Sequence, residues 1–184
     1  MSFLGACTTA PLQPSPSRPE VPRPQLSPQA MGVTLSLSQR LSVERLSPDG
    51  QLTTDRLDAL LEIDAESVHL AGLAMGQRVL SLQWRGQQLQ SQRHPMLPAQ
   101  VDETRILRDL QWVYANEDAL RATLPTGWQL LAQPSLRELR LHEQTQLSVC
   151  YELTQGWAGR IVVDNRMEGY RLVIDSIDQN HPVR

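Results

Sequence analysis

The sequence contains no lysine, and all 17 basic residues of the 184-residue chain are arginine. This absence excludes a P-loop nucleotide site and a Schiff-base mechanism, because both need a lysine amine. The 20 acidic residues leave a formal net charge of −3. Because so small a charge gives no electrostatic basis for binding phosphate backbones, we expect no nucleic-acid partner.

Cysteine and histidine are also scarce, with two and four residues. Two cysteines are too few for a disulfide framework or a thiolate zinc site, and the histidines lack a close metal-ligand spacing. The chain also has no G-x-S-x-G nucleophile motif. The sequence therefore predicts no metal, no cofactor and no enzymatic activity. A hydrolase assembled from distant Ser, His and acidic residues stays open as a minor alternative.

No run of about 20 apolar residues is present, so no membrane span is expected in this chain. One cysteine nevertheless indicates a membrane anchor, because Leu4, Gly5, Ala6 and Cys7 resemble the lipobox of bacterial lipoproteins. The resemblance implies a lipid on Cys7, with residues 1–7 as the remnant of a lipoprotein signal whose basic and apolar parts are missing. Thr8 is not the Asp that resembles an inner-membrane retention signal, which favours the periplasmic face of the outer membrane. A chance cysteine near the terminus is the alternative.

The segment after Cys7 is rich in proline, with seven prolines between residues 8 and 31. Such a composition favours polyproline II and cannot bury a core, so it predicts a semi-rigid tether that reaches about 60–70 Å at about 3.1 Å per residue. A ligand for a proline-binding groove is the alternative. We therefore predict a tether over residues 8–31 and a folded domain over residues 32–179.

Apolar and polar residues alternate in short runs from Val33 to Arg93 and again from Trp128 to Ile177, with turn signals between the runs. This period of two predicts antiparallel strands. Between the two halves, Ile106, Leu110 and Tyr114 recur at helical spacing, and a second short helix follows. The predicted fold is mainly β (α+β): a curved antiparallel half-barrel of ten to eleven strands with a helical lid inserted mid-chain.

This order of elements resembles the outer-membrane receptor of the lipoprotein-sorting pathway and its periplasmic carrier. The best local matches are the ranges 70–84 and 116–124. The chain is also similar to a bacterial lipoprotein family encoded in aryl-polyene and fatty-acid biosynthesis gene clusters. The residues that carry this second resemblance are Ile106, Leu107, Arg108, Asp109, Leu110, Gln111, Tyr114, Leu120, Arg121, Gly127, Trp128, Gly169, Tyr170, Arg171 and Leu172.

The resemblance implies an apolar cavity that binds or transfers a lipid or an acylated ligand such as an aryl polyene, with a periplasmic carrier protein as a partner. It also implies a membrane-contact loop at Leu73 and Met75. The side chains expected to face the ligand are Leu61, Leu70, Leu82, Trp84, Ile106, Leu110 and Tyr114. The alternative function is a non-catalytic, tethered interaction module of a cell-envelope assembly, which a fully packed interior would favour.

Overall fold

Ten strands form one open antiparallel sheet in the order β5-β4-β3-β2-β1-β10-β9-β8-β7-β6. The computed structural model describes residues 20–47, 49–95, 97 and 102–180. The predicted open β half-barrel is confirmed at ten strands. The strands are β1 Leu35–Leu46, β2 Leu52–Ile63, β3 Ser67–Ala74, β4 Gln77–Arg85, β5 Gln88–Arg93, β6 Trp128–Gln133, β7 Leu136–Leu141, β8 Gln144–Gln155, β9 Ala158–Asn165 and β10 Tyr170–Asp178.

The alternating pattern gives the sheet one apolar face and one polar face, because successive strand residues point to opposite sides. We call the apolar side the covered face, and its buried residues on neighbouring strands lie opposite one another, as in the row Leu37, Leu61, Leu70 and Leu82. The other side, the open face, carries exposed cross-strand ion pairs. They are Arg40–Asp58, Arg160–Asp175 and Arg171–Asp164.

The strand register defines two ends of the sheet. At the hairpin end, the turns β1–β2, β3–β4 and β9–β10 lie together, and Arg45 pairs with Tyr170. At the opposite end, called the terminal end, β1 begins and β10 finishes. The two strands farthest apart in sequence are therefore neighbours at the centre of the sheet.

Two helices connect the outer strands β5 and β6: α2, Glu103–Tyr114, and α3, Glu117–Ala122. The Asp102 side chain accepts from the amides of the first turn of α2, and Asn116 does the same for α3. The helical insertion mid-chain is therefore confirmed. Within the described residues, no helix has the length and apolar content needed to cross a bilayer.

Residues 20–34, called the strap, pack against the domain. Within it Val21, Leu26 and Met31 are buried, and the short helix α1, Pro28–Met31, begins after the N-cap Ser27. The structure thus differs from the predicted tether over residues 8–31, because three spaced apolar side chains anchor the last part of that range. Cys7 and residues 8–19 lie outside the described residues.

Candidate functional site

The structure brings together all seven side chains predicted to face a ligand. Four lie on the covered face of β2, β3 and β4, and the other three, Ile106, Leu110 and Tyr114, lie on α2. All except the half-buried Ile106 are at most 8% exposed, and they belong to one hydrophobic core. These residues therefore form the inside of a closed core between the sheet and a cover, which we define as the strap with α2 and α3.

The cover is fixed to the centre of the sheet through a buried hydrogen-bond chain. Gln39 on β1 donates from Nε2 to the Tyr114 hydroxyl at 2.8 Å and to the Ser176 hydroxyl on β10 at 2.9 Å. Burial raises the pKa of Tyr114 to about 12. The hydroxyl is therefore protonated at neutral pH, and the contact is a neutral hydrogen bond that loses little when both groups return to water.

The C-terminal end of α2 is held by β7 and β8. One guanidinium nitrogen of Arg137 lies 3.2, 3.1 and 3.0 Å from the carbonyl oxygens of Trp112, Val113 and Ala115. The Tyr151 hydroxyl donates to the Val113 carbonyl at 2.8 Å. Because the last carbonyls of a helix have no intrahelical partner and carry negative partial charge, a cation and a hydroxyl donor stabilise this end.

A side chain of α2 fixes the strap through paired hydrogen bonds to the backbone of the strap. The Gln111 amide accepts from the Leu26 N–H and donates to the Leu26 carbonyl, both at 3.1 Å. The indole N–H of Trp84 donates to the same carbonyl at 3.0 Å, and that of Trp112 donates to the Pro22 carbonyl at 2.9 Å. The buried Gln111 side chain therefore completes the backbone hydrogen bonds of the strap much as a neighbouring strand would.

A buried polar cluster joins the strap, α2 and the β9–β10 turn. Arg108, whose side chain has no exposed surface, contacts both carboxylate oxygens of Glu168 and donates to the Tyr170 hydroxyl at 3.0 Å. Tyr170 donates to Asp109 at 2.5 Å, and the Val21 N–H donates to Glu168 at 3.3 Å. Burial raises the pKa of Asp109, although the charge of Arg108 opposes the shift.

An apolar strip of the covered face lies towards the hairpin end. It consists of Leu41 and Val43 on β1, Leu57 opposite Leu41 on β2, and Leu172 opposite Val43 on β10. All four side chains are half-buried. On the same strands, the covered-face residues nearer the terminal end are buried. The sequence prediction did not include these residues in the site, although the alternation that predicted the strands already contained them.

Recesses also lie elsewhere on the surface of the described residues, and two of them are compared with the predicted site. One, of about 330 Å³, lies at the terminal end between the strap and the α2–α3 corner, where the ring of Trp157 meets that of Tyr114 edge-on at 5.1 Å. A larger groove of about 880 Å³ lies on the open face among the ion pairs of Arg40 and Arg160. Only the first recess touches a predicted site residue, and its volume is at the low end for ligand pockets.

The predicted membrane-contact residues differ in exposure. Leu73 is a half-buried residue of β3, next to an irregularity in the pairing with β4. Met75 occupies the β3–β4 turn and is 88% exposed. In the described parts of the chain, no three His, Cys, Asp or Glu side chains are placed to hold a metal ion.

The family model described as "Protein of unknown function (DUF3261)" matches residues 36–178, which run from β1 to the last residue of β10. The chain belongs to this family. The matched range contains the whole sheet with α2 and α3, whereas the strap precedes it. The family assignment therefore covers the apolar face and the helices above it.

Two solved structures are similar to the chain. One is a LolA superfamily protein from Nitrosomonas europaea, with 14% identity, coverage of 82% of this chain and 89% of that one, and a TM-score of 0.41. The other is a DUF1329 family protein from Desulfovibrio piger, with 8% identity, coverage of 82% and 87%, and a TM-score of 0.34. No curated protein matches the chain.

Replacing Gln111 by leucine tests whether its amide holds the strap. The variant leaves the Leu26 N–H without its partner, while the Leu26 carbonyl keeps the bond from Trp84, so we expect the free energy of unfolding to fall by about 1–3 kcal/mol. Urea unfolding followed by tryptophan fluorescence measures this change. The control is Arg121→Ala, which removes exposed ion pairs of α3 and is expected to change stability by less than about 0.5 kcal/mol. Equal losses in both variants would contradict the role of Gln111.

The raised pKa of Asp109 predicts a pH dependence of stability. Folded Asp109 keeps its proton to higher pH than the unfolded chain does, so its contribution to the free energy of unfolding falls as pH rises upward from its ordinary pKa of 3.8. We therefore expect the stability of the wild type relative to Asp109→Asn to decrease over this range in urea titrations. The exposed Asp118 gives the charge-removal control Asp118→Asn. If the stability of the wild type relative to Asp109→Asn increased with rising pH, the predicted direction would be contradicted.

Proposed function

We propose that the protein is an outer-membrane-anchored periplasmic lipoprotein, attached through lipidated Cys7, which binds or transfers a lipid or an acylated ligand such as an aryl polyene. Its role is non-catalytic, and a periplasmic carrier protein is the expected partner. The observation that carries the proposal is the apolar strip, because its half-buried side chains continue the buried apolar face towards the hairpin end.

The strip gives an acyl chain a first binding surface. Leu41, Val43, Leu57 and Leu172 lie side by side on three neighbouring strands. Removing apolar surface from water contributes about 25 cal/mol per Å², and this contribution needs no charged partner. A hydrocarbon chain lying along the strip would therefore bind by burial alone.

An acyl chain bound on the strip can move further along the covered face by displacing the cover. Under it lie Leu61, Leu70 and Leu82, which belong to the same buried core as the apolar residues of α2. A ligand that takes the place of α2 keeps these side chains out of water, so the apolar contribution of the core is exchanged rather than lost. The hydrogen-bonding groups of Gln111, Trp112 and Tyr114 regain water when the cover lifts.

The alternative function, a tethered interaction module, is supported by a different observation. Six of the seven predicted lining residues are already buried by the chain's own helix and strap. If this cover never lifts, the core is only structural and the outer surface is the functional part. Ligand uptake separates the two functions.

Uptake of cis-parinaric acid, a fatty acid whose conjugated polyene fluoresces when it leaves water, tests the proposal. We expect the full chain to bind it, and we expect Val43→Glu to weaken binding at least about tenfold, because a carboxylate in the strip must be desolvated. The matched control is Ser42→Glu. It places the same group at the adjacent half-buried position on the open face, opposite Arg56, and should leave binding unchanged.

Each result of this titration has a definite meaning. Uptake that is lost in Val43→Glu and kept in Ser42→Glu supports a ligand on the strip. No uptake by the wild type favours the interaction module. Uptake that neither variant alters would place the acyl chain away from the strip and would contradict the proposed site.

A further inference from the structure

One half-buried arginine of the covered face lacks a partner. The Arg45 side chain makes no ion pair or hydrogen bond within the described residues, whereas most arginines there contact a carboxylate or a carbonyl oxygen. The other described arginines without such a contact are all exposed: Arg56, Arg78, Arg85 and Arg166. Because a cation loses hydration when it is partly buried, Arg45 is the arginine that gains most from an anionic partner.

The strand register places Arg45 at the hairpin end of the apolar strip. Leu41, Val43 and Arg45 alternate along β1, so their side chains all point to the covered face. Arg45 therefore follows Val43 at roughly 7 Å along the strand, and the aliphatic side chains continue from there towards the terminal end. A cation at one end of an apolar row matches an amphiphile that has an anionic head and a hydrocarbon tail.

The residues opposite Arg45 leave its guanidinium available. On β2, the Thr53 hydroxyl donates to the Arg45 carbonyl at 3.2 Å. On β10, the Tyr170 hydroxyl accepts from Arg108 at 3.0 Å and donates to Asp109 at 2.5 Å. Both neighbours are neutral side chains whose hydroxyl groups already have partners in the fold, so neither neutralises the charge of Arg45.

One acidic residue shares this part of the covered face. Asp55 lies opposite Val43 on β2 and therefore diagonal to Arg45. Its side chain is exposed, and the two residues form no ion pair. Water screens the charge of an exposed carboxylate, so Asp55 opposes an incoming anion only weakly.

We propose that Arg45 binds the anionic head of the ligand on the strip, a carboxylate or a phosphate group, while the acyl chain runs from Val43 towards Leu41. This inference rests on the proposed function and specifies its ligand class as an anionic amphiphile. The planar guanidinium donates two parallel hydrogen bonds to either kind of head group. The charge also sets the direction of the ligand, with its head at the hairpin end and its tail towards the buried core.

Two probes that share one chain and differ in charge test the inference. They are cis-parinaric acid, which is ionised at neutral pH, and its uncharged methyl ester. We expect Arg45→Gln to lower the affinity of the full chain for the acid about tenfold, because charge-assisted hydrogen bonds are lost. Its affinity for the ester should stay the same, because the apolar strip is intact.

The matched control is Arg56→Gln, which removes an exposed arginine from the open face of β2 and should leave the affinity for both probes unchanged. A second variant, Asp55→Asn, removes the neighbouring negative charge. It should raise the affinity for the acid about threefold and leave that for the ester unchanged. This gain of binding cannot arise from a damaged fold.

Competition against bound cis-parinaric acid distinguishes the two head groups. The competitors are oleic acid, oleoyl lysophosphatidic acid and the uncharged monooleoylglycerol, which carry the same chain. Displacement by either anion that weakens about tenfold in Arg45→Gln supports the inference and identifies that head group. Displacement by monooleoylglycerol that is as strong as by both anions would overturn it.

The remaining outcomes separate this inference from the proposed function. Equal losses of acid and ester in Arg45→Gln would give Arg45 a structural role and overturn the inference. An unchanged affinity for the acid would also overturn it, while the strip would remain the site of the chain. No uptake of either probe by the wild type would reject the proposed function and the inference with it.

Discussion

The structure depends on the need to keep the apolar face of the sheet out of water. An open sheet of ten strands cannot close on itself, so the chain supplies a cover from two distant places, the strap before β1 and the helices between β5 and β6. The pairing of Gln111 with Leu26 joins these two parts. Without it, the Leu26 N–H of the strap would lack a hydrogen-bond partner over a buried helix.

The cover is attached to the sheet by polar contacts at its margins and by apolar packing beneath it. Polar contacts specify one closed arrangement but contribute little net free energy, because their groups are solvated equally well when separated. The buried pair of Arg108 and Glu168 is similar, since a buried ion pair loses hydration on closing. The proposed function requires this cover to lift, and its polar groups then exchange their hydrogen bonds for hydrogen bonds to water.

The sequence predicts most of the sheet and the two helices of the cover, but not the packing of the strap. The period-two runs indicate the strands, and the spacing of Leu110 and Tyr114 indicates α2, because one buried side imposes a period on each element. The proline-rich composition of residues 8–31 predicts a tether, and Leu26 and Met31 within it follow no period that indicates burial. Likewise, no local pattern links Arg108 to Glu168 across 60 residues. The predicted site residues do meet, but only three-dimensional packing shows that the strap and α2 bury them.

Native-state hydrogen exchange tests most directly whether the cover is a separate unit. The account predicts that the amides of Leu26 in the strap and Asn116 at the α2–α3 corner exchange through a shared opening. Its free energy should lie below that of central-strand amides such as Ile161 and Ile174. Exchange of all these amides at one common free energy would mean that cover and sheet unfold only together. That result would contradict a displaceable cover and leave the apolar face permanently inaccessible to a ligand.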